Sequence, residues 1–298
     1  MEQPGSVPSW RQAELASSLR QCWQTSNPTT PSSRTAAIVQ CFVRALQSSE
    51  LRQFRPDAIW TALQNVYYLD EAQSHLNSYR NGGSELDLIE GLYSVRQGWV
   101  RSSGVALEKA YEHIYNPTLS SSYPPVYLVL KARIRRDSVG RQAVNLGIDG
   151  IGEAREDDAY LVTVDPQERV HVFGAVQIKA SVGDRADQGG PRSSVMMELG
   201  YFSAVFTLDP MEVGRSPSGM LVHPSYIATV NGTTQQQNAW HYVYVGRNAN
   251  RHRPAPPGVY SRIKEVDLRN QPDTFDHDCR RAATDWLSHG HRIPVNWT

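Results

Sequence analysis

The sequence predicts an α/β protein in which a mixed sheet flanked by helices follows a helical N-terminal part. Three observations carry this expectation. Apolar residues recur at helical spacing through residues 1–97, and short apolar runs bounded by turn residues follow from Val126 onward. The third observation is Lys179, one of only four lysines in a chain with twenty-six arginines, which stands at the end of such a run, Phe173-Gly-Ala-Val-Gln-Ile-Lys-Ala-Ser181.

Residues 1–97 read as a helical subdomain, with a first helix over Ser9–Thr25. Thr35–Gln47 carries Ile38, Phe42, Val43 and Leu46; Asp57–Leu69 carries Ile59, Trp60, Leu63 and Val66; Glu85–Val95 carries Leu86, Ile89, Leu92 and Tyr93. Packing, dimerisation or DNA contact would each suit this part.

Residues 98–298 read as a second, sheet-containing part. Ser103 would cap a helix over Gly104–Tyr115 that ends at Asn116-Pro117, with Leu107, Tyr111 and Ile114 inward and Glu108 and Glu112 on an adjacent flank. Strands are expected over Val126–Arg133, Asp158–Val164, Arg169–Ser181 and Trp240–Val245. Pro191–Phe206 reads as a helix begun near Ser193, with Val195, Leu199, Phe202 and Phe206 as its buried stripe. Thr274–Leu287 reads as a closing helix capped by Asp273, with Phe275, Cys279, Ala282 and Trp286 inward.

The composition, 40% hydrophobic, is enough for a substantial core, and the formal net charge of zero leaves room for a basic cleft balanced by acids elsewhere. Cys22, Cys41 and Cys279 fit no zinc spacing and suggest reduced thiols in a cytosolic protein. A leader-like N-terminus and a continuous apolar span are both missing, as are a P-loop, a dinucleotide fingerprint and a nucleophile elbow. The spacing of His277, His289 and His291 suits no common metal motif, so solvated histidines are expected.

The chemistry centres on a hairpin. Asp165-Pro-Gln-Glu168 marks a turn, and centring it between Pro166 and Gln167 pairs Val164 with Arg169 and Asp158 with Ala175. Period-two alternation then places Asp158, Gln177 and Lys179 on one face, and a one-residue bulge would exchange Asp158 for Asp157. A carboxylate beside an ammonium suits metal-assisted phosphodiester hydrolysis: the acid holds Mg²⁺ and the lysine orients water or offsets developing charge. The usual second acid, two residues before the lysine, is here the neutral Gln177. Glu198 in the following helix is the candidate replacement, although a surface glutamate of an amphipathic helix would look the same.

These residues resemble the type II restriction endonucleases of the CCGG family, within the PD-(D/E)xK nucleases. The resemblance rests on Trp99-Val-Arg-Ser-Ser-Gly-Val-Ala-Leu-Glu108 with Tyr115-Asn-Pro117, on Gln177-Ile-Lys-Ala-Ser-Val-Gly-Asp-Arg185, and on Val195-Met-Met-Glu198 with Ser203–Asp209. It spans roughly residues 97–210, and order and spacing carry it rather than any single piece. In that family the second acidic ligand is displaced to a helix after the lysine. The resemblance therefore implies Asp158, Lys179 and Glu198 as the metal and catalytic site, with Asp158 and Glu198 as ligands and Glu108 as an outer acid. Gln177 departs from the small residue or histidine expected there. Asp184 and Arg185 would read neighbouring C and G, since a carboxylate accepts from cytosine N4 and a guanidinium fork donates to guanine O6 and N7. Where the family often has a further arginine, this chain has Val182 and Gly183.

The resemblance implies Mg²⁺-dependent cleavage of double-stranded DNA at a palindromic site with a CC/GG core, CCGG or CCNGG with outer bases, leaving 5′ overhangs. A homodimer matches such a site, and a tetramer is compatible with it. A companion DNA methyltransferase and a prokaryotic cytoplasmic setting follow from the same resemblance. Arg101 and Ser103 before their helix, Arg192, and the cluster Arg247–Arg253 are candidates for gripping phosphates. The alternatives are a structure-specific repair or junction nuclease of the same fold and a non-catalytic DNA-binding protein with a decayed site.

Overall fold

A computed structural model describes residues 9–121, 123–134, 157–180, 193–208, 240–246, 263–290, 292–294 and 297. The chain packs as two compact units, Met1–Ala110 and Tyr111–Thr298. The helical part expected over 1–97 thus extends further, and the division falls inside a helix.

The first unit contains α1 (Ser9–Ser26), α2 (Pro31–Gln47), α3 (Pro56–Arg80) and the start of α4 (Glu85–Leu119). Helix α2 begins four residues before the expected start because Thr30 caps it: its hydroxyl accepts from Ser33 N, and Ser33 returns a bond to Thr30 N. Trp23, Phe42, Trp60, Tyr67 and Trp99 build the core, mostly through edge-on and tilted ring contacts. Trp23 Nε1 donates to Asp70 at 2.9 Å, and Arg34 pairs with Glu71 at 2.6 Å. Cys22 and Cys41 form a disulfide with Cα atoms 5.8 Å apart, while Cys279 is free and buried. This corrects the expectation of reduced thiols for that pair, because helix packing joins positions that spacing alone left unrelated.

Two other expectations for the helices are overturned. Glu85–Val95 and Gly104–Tyr115 belong to one continuous helix, α4, so Arg101 and Ser103 lie in its interior and form no helix N-terminus for a phosphate. The apolar stripe Leu86, Ile89, Leu92 and Tyr93 faces outward, and the inward side is Gly91, Val95, Gly98 and Trp99. Small residues decide this choice: a Cβ at Gly91 would stand 2.3 Å from the His75 ring, and one at Gly98 2.5 Å from the Tyr67 hydroxyl.

The second unit is built on a mixed sheet of order β1-β2-β3-β4-β5-β6 among the described residues: β1 (Val126–Leu130), β2 (Ala159–Val164), β3 (Val170–Lys179), β4 (Phe202–Thr207), β5 (Tyr242–Val245) and β6 (Ile263–Glu265). Strands β1 to β3 are antiparallel, and β3 to β6 are parallel. The expected α/β class and mixed sheet are borne out. Helical turn α5 (Lys131–Ile134) replaces the last part of the expected first strand.

The expected helix Pro191–Phe206 is the largest correction. Among the described residues of that span only 193–198 are helical (α6), and Phe202–Thr207 is a strand buried on both faces. Gly200, at φ +87°, ends the helix in a conformation that favours glycine, and Phe-Ser-Ala-Val-Phe-Thr then suits a fully covered parallel strand. Val195 and Leu199 are consequently exposed, and Met196, Met197 and Tyr201 are buried instead. Strand β6 was missed because three residues give no periodic signal.

Helix α7 (Thr274–Ser288) matches expectation, with Asp273 as a capping-box residue and Phe275, Cys279, Ala282 and Trp286 buried. Tyr111, Tyr115, Phe206, Tyr244 and Phe275 share the core beneath it. Asp278 locks α7 to the sheet by accepting from Tyr244 at 2.7 Å and from Lys264 at 2.7 and 2.8 Å. At the opposite edge, Asn116 exchanges two hydrogen bonds with the Leu128 backbone, so a side chain satisfies groups of an edge strand. No described helix is long and apolar enough to cross a membrane.

Candidate active site

The β2–β3 hairpin sets the geometry. Asp165 organises its turn: Oδ1 accepts from Gln167 N and Arg169 N, and Oδ2 meets Arg169 Nε at 2.7 Å and His171 Nε2 at 3.0 Å. Glu168 takes φ +61°, and Val164 pairs with Val170 rather than with Arg169. A second slip follows, because Leu161 pairs with Gly174 and Val162 with Val172, which leaves Phe173 as a bulged residue. Each slip alone would reverse the faces. Together they restore them, so that Tyr160, not Asp158, stands opposite Ala175 and Asp158 comes level with Gln177.

Lys179 Nζ accordingly donates to Asp158 Oδ2 at 2.6 Å, and Ile178 N donates to the same oxygen at 2.7 Å. Both side chains are mostly buried, with 11% of Asp158 and 20% of Lys179 exposed. Asp158 is held on its main chain as well, donating from N to Val176 O and accepting at O from Lys131 N. Asp157 and Gln177 are buried. The pair stands at the C-terminal end of β3, level with Thr207 at the end of β4.

Glu198 is placed elsewhere. It is exposed at the end of α6, its carbonyl accepts from Arg292 Nη2 at 3.4 Å, and it lines a cavity with Asp285, His289, Arg292 and Trp297. The chain then enters β4 at Phe202, level with Gly174, five positions before Lys179 and so ~16 Å back along the strand. Among the described residues no three His, Cys, Asp or Glu side chains converge to hold a metal ion. Glu108 is half-buried on α4 in the first unit. Its helical neighbour one turn on, Glu112, belongs to the second unit, is 8% exposed and pairs with Arg133 at 3.1 Å. Arg133 lies on α5, whose first residue, Lys131, bonds Asp158, so Glu112 is tied to the segment beside the Asp158–Lys179 pair. The signal for it was the four-residue spacing from Glu108.

Asp184, Arg185, Arg192 and the Arg247–Arg253 cluster lie outside the described residues, as does His291. His277 and His289 are exposed, in line with solvated histidines.

No family model matches the chain. Among curated proteins it is similar to the type II restriction enzyme AgeI of Thalassovita gelatinovora, 30% identical over 150 residues. That match takes in 48% of this chain and spans about half the length of the relative, 51%. Two solved structures share the fold across almost the whole chain. One is restriction endonuclease AgeI in a specific complex with DNA, with TM-score 0.64, 20% identity and 93% of each chain covered. The other is restriction endonuclease BsaWI in a pre-specific complex with DNA, with TM-score 0.54, 22% identity, and 96% of this chain and 97% of that one covered. The fold is that of a restriction endonuclease. The α/β architecture expected from the sequence, a mixed sheet flanked by helices, is thereby borne out.

Proposed function

We propose that this chain is a type II restriction endonuclease that cleaves double-stranded DNA at a palindromic site with a CC/GG core, CCGG or CCNGG with outer bases, leaving 5′ overhangs. The observation that carries the reading is the Asp158–Lys179 contact of 2.6 Å at the end of β3, within this fold. The partial similarity to a type II restriction enzyme supports the same activity.

The donor set suits Mg²⁺, which takes hard oxygen ligands and needs only one or two protein carboxylates beside water and substrate phosphate. Asp158 would hold it, with the buried Gln177 carboxamide on the same sheet face as a neutral oxygen donor. Bound there, the ion would supply a nucleophile at neutral pH and offset charge on the scissile phosphate. Lys179 keeps its ammonium at the Asp158 carboxylate, from where it can orient the attacking water and stabilise the extra negative charge of the transition state. A part for Glu198 as second ligand rests on the resemblance alone, and its exposed place beside Arg292 gives that part no support. Glu108 as an outer acid rests on it likewise.

Asp184 and Arg185 are proposed to read C and G, supported by their place in sequence just after Lys179 and by the match of acceptor and fork to those bases. Arg192 would contact the DNA backbone, and Arg101 and Ser103 are weaker candidates for the same role now that they lie inside α4. Two copies acting on one site, with a tetramer as the larger assembly, fit a palindrome. The setting would be the cytoplasm of a prokaryote that also carries a protecting DNA methyltransferase.

The test is to sequence the ends formed when the protein and Mg²⁺ digest a plasmid of known sequence. Discrete fragments with 5′ overhangs beginning at CC support the reading, and cutting without site preference would transfer it to a structure-specific nuclease of the same fold. The neutral Gln177, standing where a second acid is usual, carries the second reading, a DNA-binding protein that does not cleave. Binding to such fragments without any cutting would establish that one.

A further inference from the structure

Helix α4 is apolar on two opposite sides. At about 100° per residue, Gly91, Val95, Gly98 and Trp99 form the side packed inside the first unit, and Leu86, Ile89, Tyr93 and Val100 form a stripe roughly opposite. The stripe is 63%, 64%, 61% and 49% exposed at those four positions. Its spacing of three, four and seven residues is that of a helix-pairing seam, about 21 Å long from Leu86 to Val100. Contiguous exposed apolar surface of this kind marks an interaction site.

The charges beside the stripe select the occupant. Exposed Glu85 and Glu90 flank its N-terminal half, and exposed Arg96 and Arg101 flank its C-terminal half. Against a second α4 running in the same direction, like charges would meet. Running the opposite way, with the two-fold axis at Tyr93, the acidic half of each copy lies against the basic half of the other, and Leu86 lies level with the other copy's Val100. The acidic end also disfavours a nucleic acid partner.

We infer that this face of α4 is a self-complementary docking surface for a second copy of the chain, paired antiparallel about Tyr93. A single helix pair of this length lies at the small end of stable interfaces, so the dimer is concentration-dependent, with dissociation in the range of about 1–100 μM. The inference does not rest on the nuclease reading, and its test uses neither DNA nor cleavage.

Sedimentation equilibrium of the full chain should show a monomer–dimer equilibrium. Glu85→Arg with Glu90→Arg makes both halves basic and should weaken the dimer about tenfold or more. Adding Arg96→Glu and Arg101→Glu restores the opposition in reverse and should return the affinity to within about threefold of the parent. All four side chains are exposed, so the variants should keep the parental melting curve. Tyr93→Cys, being on the axis, should form a disulfide-linked dimer on mild oxidation, whereas Tyr123→Cys, 69% exposed on the second unit, should not. A parent that stays monomeric at 100 μM or so, a dimer indifferent to the half reversal, or a Tyr93→Cys thiol that neither crosslinks nor reacts with maleimide would each overturn the inference.

Discussion

Lys179 Nζ and Asp158 Oδ2 are 2.6 Å apart because the hairpin joining their strands slips twice, once at its turn and once at Phe173. The contact therefore depends on register and not on neighbouring sequence. Removing either partner leaves the other mostly buried and without its counter-charge. Lys179→Ala and Asp158→Ala should each lower the single-turnover cleavage rate by about 10²-fold or more. The control is a thermal melt, since a rate lost with folding intact assigns the pair to chemistry. Cleavage within about tenfold of the parent in both variants would move catalysis away from this pair.

Glu198 and Glu112 make opposite predictions. Glu198 is exposed beside Arg292, whereas Glu112 is 8% exposed and tied through Arg133 to the segment that bonds Asp158. Glu112→Gln should slow cleavage by about tenfold or more, and Glu198→Ala should stay within about threefold. A titration of rate against Mg²⁺ separates a weakened site from a weakened fold. An inactive Glu198→Ala with a parental melt would instead give Glu198 the part of second ligand.

Both faces of this contrast show what the sequence could carry. Asp158 and Lys179 were legible because a β-hairpin fixes which side chains share a face up to parity, and two slips preserve parity. The stripe on α7 was legible because a periodic helix with a capping residue has one consistent reading. Strand β4 was not: Val195, Leu199, Phe202 and Phe206 fit a helical stripe as well as they fit a helix, a turn and a buried strand, and only the positive φ of Gly200 decides between them. The outward stripe of α4 failed for a related reason. Two apolar faces were available, and close approach at Gly91 and Gly98 chose the one that periodicity ranks lower.

Two glycines should respond to alanine with opposite signs. Gly174 lies in β3 next to the bulge, where a Cβ would meet the Phe202 carbonyl oxygen at 2.6 Å. That contact is with backbone, so Gly174→Ala must separate β3 from β4 and should cost about 2 kcal/mol or more. Gly104 lies inside α4 with nothing within 4 Å of an added Cβ. Gly104→Ala should raise stability by about 0.5–1 kcal/mol through helix propensity. Urea melts of both variants check the signs, and a neutral Gly174→Ala would show that the two strands are less closely packed than described.

Asp273 should make the protein less stable as pH rises towards neutrality. Burial is the largest influence on its carboxyl; with neighbouring Asp276 adding to it and bonds from Tyr115, Phe275 N and Asp276 N opposing it, the pKa is pushed up from 3.8 to about 7. The folded state then holds a proton over pH 4 to 7 that the unfolded state has released, so stability from this group is present below about pH 4 and is lost as pH climbs through the folded pKa. The full displacement corresponds to roughly 4 kcal/mol at most, reduced by whatever relaxation the site allows. Asn keeps the capping oxygen that Phe275 N and Asp276 N need, and the Tyr115 hydroxyl, which donates to Asp273 Oδ2, can turn to accept from the Asn amide. Asp273→Asn should therefore flatten this part of the pH dependence, with the largest gain over the parent at pH 8 and little difference at pH 4. Melting temperatures of the two proteins across that range test it, and parallel curves would mean that Asp273 is ionised throughout.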